Sequence, residues 1–336
     1  MTAPIQMRDV YEAAEAIEGI AYRTPLLQSA SLSASTGTNA YLKLECFQPT
    51  RVFKVRGAAN KIKRLPPEGI IVTASSGNHG FAVSYVSKKL GRKAIVCVPT
   101  TANADKVNAI RQYGAEVVAV GTSYEDAYEE ALRIVDKVHG QLAHPFEDPL
   151  VIAGQATIAL EILKDQPNLE TLIVPIGGGG LISGIAFAAK NLKKSLRIIG
   201  VQAANAPSAA EAFRAGHPVS VKISPTIADG IVTKRASELT LRIIREYVDD
   251  ILLVSDSQIE EALLTLLRND HVLSEPSGAA SVAALRFAYK PKPHEEIAAV
   301  VSGGNIAIDY LTKLLAERSR SGNLLSFSRT SRDLGE

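Results

Sequence analysis

The chain has 336 residues, 46% hydrophobic and 21% charged, the balance of an ordinary globular protein too long for one core, so two domains or a large α/β domain with an inserted lobe are expected. Its 37 basic and 35 acidic side chains leave a formal charge of +2, without the single-sign field that nucleic acid binding uses, so no nucleic acid partner is expected. Two cysteines, Cys46 and Cys97, exclude a disulfide framework, and the six histidines never fall at the spacing of a local zinc site.

The start MTAPIQMRDV has no long apolar leader, and no stretch approaches the roughly 20 apolar residues of a membrane span. A cytoplasmic protein with no membrane partner is the expectation. From Asp9 to Glu18, the apolar residues Val10, Ala13, Ala14 and Ile17 recur at helical spacing. Ala40 to Leu44 reads as a strand, and the segment from Cys46 to Val52 delivers Lys54 to the start of a helix running to about Lys63.

Short apolar runs then alternate with amphipathic segments. Strands are predicted over Gly69 to Ala74, Ala94 to Val98 and Glu116 to Val120, and helices over His79 to Leu90, Asp105 to Tyr113 and Tyr124 to Val138. Runs apolar on both faces point to parallel βαβ units. After the Pro-bounded loop from His144 to Pro149, a plausible lobe boundary, the pattern resumes. A helix from about Val151 to Asp165 leads to a strand from Thr171 to Ile176, a glycine run, a helix to about Lys190 and a strand from Arg197 to Gln202. Further strands are predicted at Ile251 to Val254 and Ile297 to Val301, with helices near 237–246, 256–269, 277–289 and 305–318. The end of the chain, rich in Ser, Arg and Gly, reads as a loosely held tail.

Four stretches carry chemistry-bearing residues. Gly177-Gly178-Gly179-Gly180-Leu181 follows an apolar strand and opens a helix, so its N–H groups and the helix start suit an anionic phosphate; the structural alternative is a flexible turn. The spacing does not meet GxGxxG, and the next strand ends at Gln202 without an acid, which disfavours a nicotinamide dinucleotide. Ser75-Ser76-Gly77-Asn78-His79 again lies between strand and helix and offers hydroxyls and N–H groups to a carboxylate, or simply a helix cap. Lys54, beside Phe53, becomes a nucleophile only if burial keeps its amine partly neutral; otherwise it is one surface cation among many. Ser302, followed by Gly303 and Gly304, puts a hydroxyl at the open end of the last strand, where ligands bind in α/β folds, or caps the next helix.

These four stretches, in this order and over roughly residues 7–316, resemble the fold type II pyridoxal-phosphate enzymes, most closely the threonine/serine dehydratase and serine racemase group. The resemblance implies an α/β protein similar to the tryptophan synthase β chain, with two open, twisted, mostly parallel sheets flanked by helices and the cofactor in the cleft between lobes. It implies a large cofactor-binding domain from residues 1–60 and 146–318, a small mobile domain over 61–145, and a tail over 319–336. The chain ends without the roughly 80 residues of an appended regulatory domain, so none is expected. Lys54 looks like the lysine to which the family attaches pyridoxal 5'-phosphate, with Phe53 against the ring, Asn78 on the ring hydroxyl, Ser302 on the ring nitrogen, and Gly177, Gly178, Gly179, Gly180 and Leu181 on the phosphate. Ser75, Ser76, Asn78 and His79 match the loop that holds the substrate carboxylate, and Ser76 matches the serine that acts as acid or base on the opposite face in racemases. The stretches Thr226 to Gly230 and Glu275 to Ala279 are also similar to the group, while His144 to Pro149 reads as structural.

The resemblance therefore implies a lyase that takes a β-hydroxy amino acid, L-threonine or L-serine, to a 2-oxo acid and ammonia, as a homodimer. Serine racemase activity, dehydration of 3-hydroxyaspartate or an aryl-serine, and an inactive ligand-binding protein are the alternatives. A neutral serine at the ring nitrogen favours elimination over transamination. Two departures stand out. Arg51-Val52 replaces the small polar residue usual before the Phe-Lys pair, which bears on the substrate. Gln202 and Ser208 replace the carboxylates with which some members hold a divalent cation, so no divalent metal is expected there, though a monovalent ion stays open.

Overall fold

The computed structural model describes residues 4–320. The chain opens with α1 (Met7–Ala16), β1 (Leu26–Gln28), α2 (Ala30–Thr36), β2 (Asn39–Leu44), a 3-10 turn at Glu45–Phe47, and α3 (Lys54–Arg64). It continues through β3 (Ile71–Ala74), α4 (Asn78–Lys89), β4 (Ala94–Val98), α5 (Ala104–Gln112), β5 (Glu116–Ala119), α6 (Tyr124–Val138) and β6 (Gln141–Leu142). These four later strands form a parallel sheet in the order β5-β4-β3-β6.

After α7 (Pro149–Asp165) come β7 (Thr171–Pro175), α8 (Gly180–Leu192), β8 (Arg197–Ala203), α9 (Ser208–Ala215), a 3-10 turn at Asp229–Ile231, and α10 (Glu238–Tyr247). The remainder is β9 (Asp250–Val254), α11 (Asp256–Asn269), α12 (Pro276–Phe287), β10 (Glu296–Val301) and α13 (Ile308–Arg320). A six-stranded sheet runs β1-β2-β10-β7-β8-β9, parallel except for the antiparallel edge pair β1 and β2. The expected architecture, two mostly parallel sheets flanked by helices, is the observed one.

Every residue of β4 and β7 is buried, as continuous apolar runs covered by helices on both faces should be. One apolar cluster packs α1, α7 and α8 against the six-stranded sheet, a second packs α11 and α12 on its other face, and a third lies under the four-stranded sheet. Helix α3 joins the two halves. Its Val55, Ala58, Ala59 and Ile62 enter the core of the four-stranded sheet, while Gly57 faces α7 so closely that an added Cβ would lie 2.8 Å from the Val151 carbonyl oxygen.

Several boundaries differ from the sequence expectation for identifiable reasons. Helix α2 has no apolar periodicity; its hydroxyls bond backward instead, with Ser33 Oγ donating to the Ser29 carbonyl and Thr36 Oγ1 to that of Leu32. Helix α13 begins at Ile308 and not near 305, because Asn305 is drawn away by bonds to Thr50 and Asn78. Residues 319 and 320 of the expected tail complete α13, and the rest of the tail lies outside the described residues. Among the described residues no helix is long and apolar enough to cross a membrane.

Candidate active site

All four stretches begin where a strand ends. Phe53 and Lys54 follow β2 and its 3-10 turn, Ser75 to His79 follow β3, Gly177 follows β7 and Ser302 follows β10. Because β2, β10 and β7 are parallel neighbours, their carboxyl ends open on one side of the sheet, the usual place for a ligand.

Contacts close these segments into a ring. Lys54 Nζ donates to the Pro145 carbonyl at 2.9 Å and sits 5.2 Å from the centre of the Phe53 ring. Phe146, next in sequence, covers the glycine loop: a Cβ on Gly178 would lie 2.3 Å from Phe146 Cδ1, and one on Gly180 2.9 Å from Phe146 Cβ. A Cβ on Gly177 would lie 3.1 Å from Ile231 Cα, and the neighbouring Gly230 N–H donates to Ser277 Oγ at 2.9 Å. Asn78 Nδ2 donates to Glu275 Oε1 at 2.7 Å, while its own oxygen accepts from Asn305 Nδ2 at 2.8 Å. Glu275 N–H donates to the Gly303 carbonyl, Gly303 bridges to Val52, and Phe53 N–H donates to the Ser302 carbonyl at 3.1 Å, which returns the ring to Lys54.

The electrostatics inside the ring are unusual. Burial, with no acidic partner to oppose it, pulls the Lys54 amine down to about 8. Burial also pushes the Glu275 carboxyl up to about 7, helped by Asp229 and opposed by the hydrogen bond from Asn78. His144 is held down at about 4 by burial and by the Lys54 charge, and its Nδ1 accepts from the N–H groups of Phe146 and Glu147 at 3.3 and 2.8 Å. His79 lies deeper and is lowered to about 3 by burial and Lys54. Its Nε2 bonds to the Ala143 carbonyl at 2.9 Å, and its side chain is buried. Ser75 Oγ accepts from the Gly77 N–H at 3.3 Å, which shapes the turn ahead of α4.

The glycine loop is built for a group that needs close backbone approach. Gly179 has φ +90°, a left-handed conformation that side chains disfavour. The loop carbonyls are turned outward onto hydroxyls, Gly177 accepting from Thr233 Oγ1 at 3.4 Å and Gly178 from Thr240 Oγ1 at 2.9 Å. That leaves the N–H groups and the start of α8 for an anion. Leu181 is buried behind the loop. A phosphate cradle, a partly neutral amine beside a flat apolar ring, a carboxamide, and a buried hydroxyl residue at a strand end together fit pyridoxal phosphate.

Gln202 and Ser208 do not make a divalent-cation site. Gln202 Oε1 points into the start of α9, accepting from the N–H groups of Ala209 and Ala210 at 2.8 and 3.0 Å, and Ser208 Oγ pairs with Thr233 Oγ1 at 2.8 Å. A carboxamide already used as a helix cap is not a hard anionic ligand. Among the described residues no cluster of three or more His, Cys, Asp or Glu is placed to hold a metal.

Two parts of this ring have roles that their sequence context does not announce. Pro145 and Phe146 fall in the His144 to Pro149 loop, whose pattern reads as structural, and Glu275 stands out in the sequence only through the motif around it. A carbonyl acceptor has no sequence signature, whereas a glutamate in the apolar company of Pro276, Ala279 and Ala280 is a detectable signal.

Comparison with known proteins agrees with this geometry. An L-threonine ammonia-lyase of Thermotoga maritima is 40% identical over 314 residues, covering 93% of this chain and 78% of that protein. A serine racemase of Oryza sativa is 37% identical over 322 residues, covering 93% and 94%. The structure of maize serine racemase superposes with a TM-score of 0.89 at 34% identity, covering 95% of this chain and 99% of the other. Residues 17–303 match the family of pyridoxal-phosphate dependent enzymes. With the cradle, the amine and the ring of contacts in place, the chain belongs to that family and uses its cofactor.

Proposed function

We propose that this protein is an ammonia-lyase that removes water from a β-hydroxy amino acid, L-threonine or L-serine, to give a 2-oxo acid and ammonia. The observation that carries the reading is the Lys54 amine, lowered to about 8 by burial and unpaired with any carboxylate, at the centre of a site whose 40% identical relative is an L-threonine ammonia-lyase. Bound pyridoxal phosphate supplies an electron-withdrawing ring that stabilises the electron pair left when the α-proton departs.

In this reading Lys54 would hold the cofactor through its amine, and the same amine would serve as the general base for the α-proton. Phe53 would cover the ring, Asn78 would hold the ring hydroxyl, Ser302 would serve the ring nitrogen, and Gly177 to Leu181 would hold the phosphate. Ser75, Ser76, Asn78 and the backbone of His79 orient the substrate carboxylate. Loss of the α-proton and the β-hydroxyl as one water gives an enamine, which takes up one water to give the 2-oxo acid and ammonia. The unit over residues 61–145 closes on the substrate and keeps solvent out.

The test is a panel of β-hydroxy amino acids scored for 2-oxo acid with and without chelator. Threonine and serine are expected to react at rates the chelator leaves unchanged; a protein inert to both would overturn the assignment. Racemisation is the second reading, favoured by Ser76 on the loop and by the 37% identical serine racemase. Chiral analysis of recovered serine distinguishes it, since a lyase alone returns only the L form. We also propose a cytoplasmic location, which the free cysteines Cys46 and Cys97 suit, and a two-fold homodimer, the commonest closed assembly. Light scattering that gave one chain per particle would overturn the dimer.

A further inference from the structure

Two residues beyond Lys54, α3 carries a second cation that faces away from the cleft. Arg56 is completely buried, and its guanidinium forks onto two carboxylates at once. Nε and Nη2 each donate to Glu45 at 2.8 Å, while Nη1 and Nη2 donate to Glu161 at 2.6 and 2.8 Å. Nη1 also reaches Thr157 Oγ1, and Nη2 the Tyr22 carbonyl, both at 3.1 Å. Lys43, equally buried, donates to Glu161 Oε2 at 2.5 Å and to the Thr24 carbonyl at 2.7 Å. Glu45 is completed by Thr24 Oγ1 at 2.5 Å and Gln48 Nε2 at 3.1 Å. A cavity of about 210 Å³ opens on Arg56, Thr157 and Glu161 beside Tyr22 and Arg23. Every N–H of the guanidinium is engaged, so nothing there is left to receive a ligand.

Two cations and two carboxylates make the cluster neutral. Burial alone would raise Glu45, but Arg56 beside it holds the carboxyl below its ordinary value; burial disfavours the Arg56 cation, and Glu45 with Glu161 more than restores it. Taking four charges out of water costs about as much as their attraction returns, so well-packed apolar residues of the same volume would hold the fold as well. Apolar residues lack direction, however. A planar fork bonded to two carboxylates fixes both angle and distance.

The four charges come from β2, the 3-10 turn after it, α3 and α7. The other contacts of α3 are small apolar side chains on one face, the close approach of Gly57 to α7 on another, and, in its second half, the Asn60 Nδ2 bond to the Leu150 carbonyl and the Lys61–Asp148 ion pair, both at 2.7 Å. Apart from the bond of Lys54 itself, the polar contacts outside the cluster hold the far half of α3, so the cluster is the polar anchor of the turn that carries Lys54. At 3.6 residues per turn, Lys54 and Arg56 are about 200° apart around the helix, so locking Arg56 on the far side sets the direction of Lys54 on the near side.

We propose that Arg56 is a positioning residue for Lys54, and that the neutral cluster Lys43, Glu45, Arg56 and Glu161 fixes the rotation and height of α3 so that the amine meets its cofactor in register. The inference rests on the reading of Lys54 as the cofactor-binding lysine. A displacement of about 1 Å at such a group can cost on the order of a hundredfold in rate.

The test compares three variants of the full chain by thermal melting, absorbance titration with pyridoxal phosphate, and kcat and KM for threonine. Arg56→Lys keeps the charge but loses the fork. Arg56→Met combined with Glu45→Leu removes one cation and one carboxylate together and leaves Lys43 paired with Glu161. Both are expected to melt within about 5 °C of the parent, to bind the cofactor at least tenfold more weakly, and to lose at least tenfold in kcat with little change in KM. Folded variants with parental cofactor affinity and kcat would overturn the proposal. Collapse of the charge-balanced double variant would overturn it too, since the cluster would then be holding the fold itself. Lys54→Ala, the third, separates the premise: covalent cofactor trapped by borohydride in that variant would sink the lysine assignment, whereas its loss alongside unaltered Arg56 variants would sink only the positioning role.

Discussion

An amine that is buried without a carboxylate beside it has its chemistry set by the pH. With Lys54 at about 8, roughly one amine in ten is neutral at pH 7, against roughly one in three thousand at the ordinary lysine value. His79 and His144, the titratable neighbours on α4 and the 143–148 loop, sit at about 3 and 4 and remain neutral above pH 6. Borohydride trapping of pyridoxal phosphate on Lys54, read by peptide mass spectrometry, should therefore rise about tenfold per pH unit from 6 and level off near 8. A plateau delayed to pH 10 would mean that the amine is not desolvated.

Glu275 gives the second prediction at this scale. Its folded value of about 7 lies above the ordinary 4.5, so between those pH values the folded protein keeps a proton that the unfolded chain has released. Stability therefore falls as pH rises through this window, by about 3 kcal/mol in all, and the penalty is fully present above pH 7. Glu275→Gln cannot ionise and should lack that slope. Urea unfolding of cofactor-free parent and variant at pH 5 and pH 8 measures it, and identical pH dependence in the two would show that Glu275 does not hold the proton. Lys54 was legible in the sequence because a Phe-Lys pair, a serine-asparagine loop and a glycine run form a pattern of residue types. Pro145 was not, because it acts through a backbone carbonyl that any residue carries.

At the scale of elements, the glycine loop and the loop after β6 form one unit. Phe146 occupies the space that a side chain on Gly178 would need. Gly178→Ala should thus displace the ring and weaken cofactor binding by at least tenfold in an absorbance titration. Phe146→Ala should make room, so the double variant is expected to recover much of that loss. If the two effects simply add, the ring and the loop are not coupled. The strands and long helices were readable from apolar runs and 3.6-residue periodicity, and α6 matches its expected span of Tyr124 to Val138. Helices α2 and α9 were not, because they are segments of only seven and eight residues held by local and tertiary bonds: backward hydroxyl bonds in Ser/Thr-rich α2, and Gln202 capping the first N–H groups of Ala-rich α9.

At the scale of the molecule, two ion pairs span the halves of the cleft. Lys106 Nζ of α5 meets Asp229 Oδ2 at 2.7 Å, and Lys234 Nζ meets Glu125 Oε1 of α6 at 3.1 Å. All four side chains are substantially exposed, so each pair contributes about 0–1 kcal/mol to folding, and screening by salt is strong. Their leverage lies in where they attach. Asp229 precedes Gly230 and Ile231, which back the glycine loop, and α5 and α6 flank the sheet that ends in Ser75 to His79. Energy too small to matter for folding is enough to bias the proposed closure of residues 61–145 on substrate, where about 1 kcal/mol is a severalfold change in affinity. Lys106→Met with Lys234→Met should leave the melting temperature within about 2 °C yet raise KM for threonine severalfold. Added salt should raise KM in the parent and have much less effect in the double variant, because the pairs it screens are already gone. An equal salt response in both proteins would show that these contacts do not hold the cleft shut.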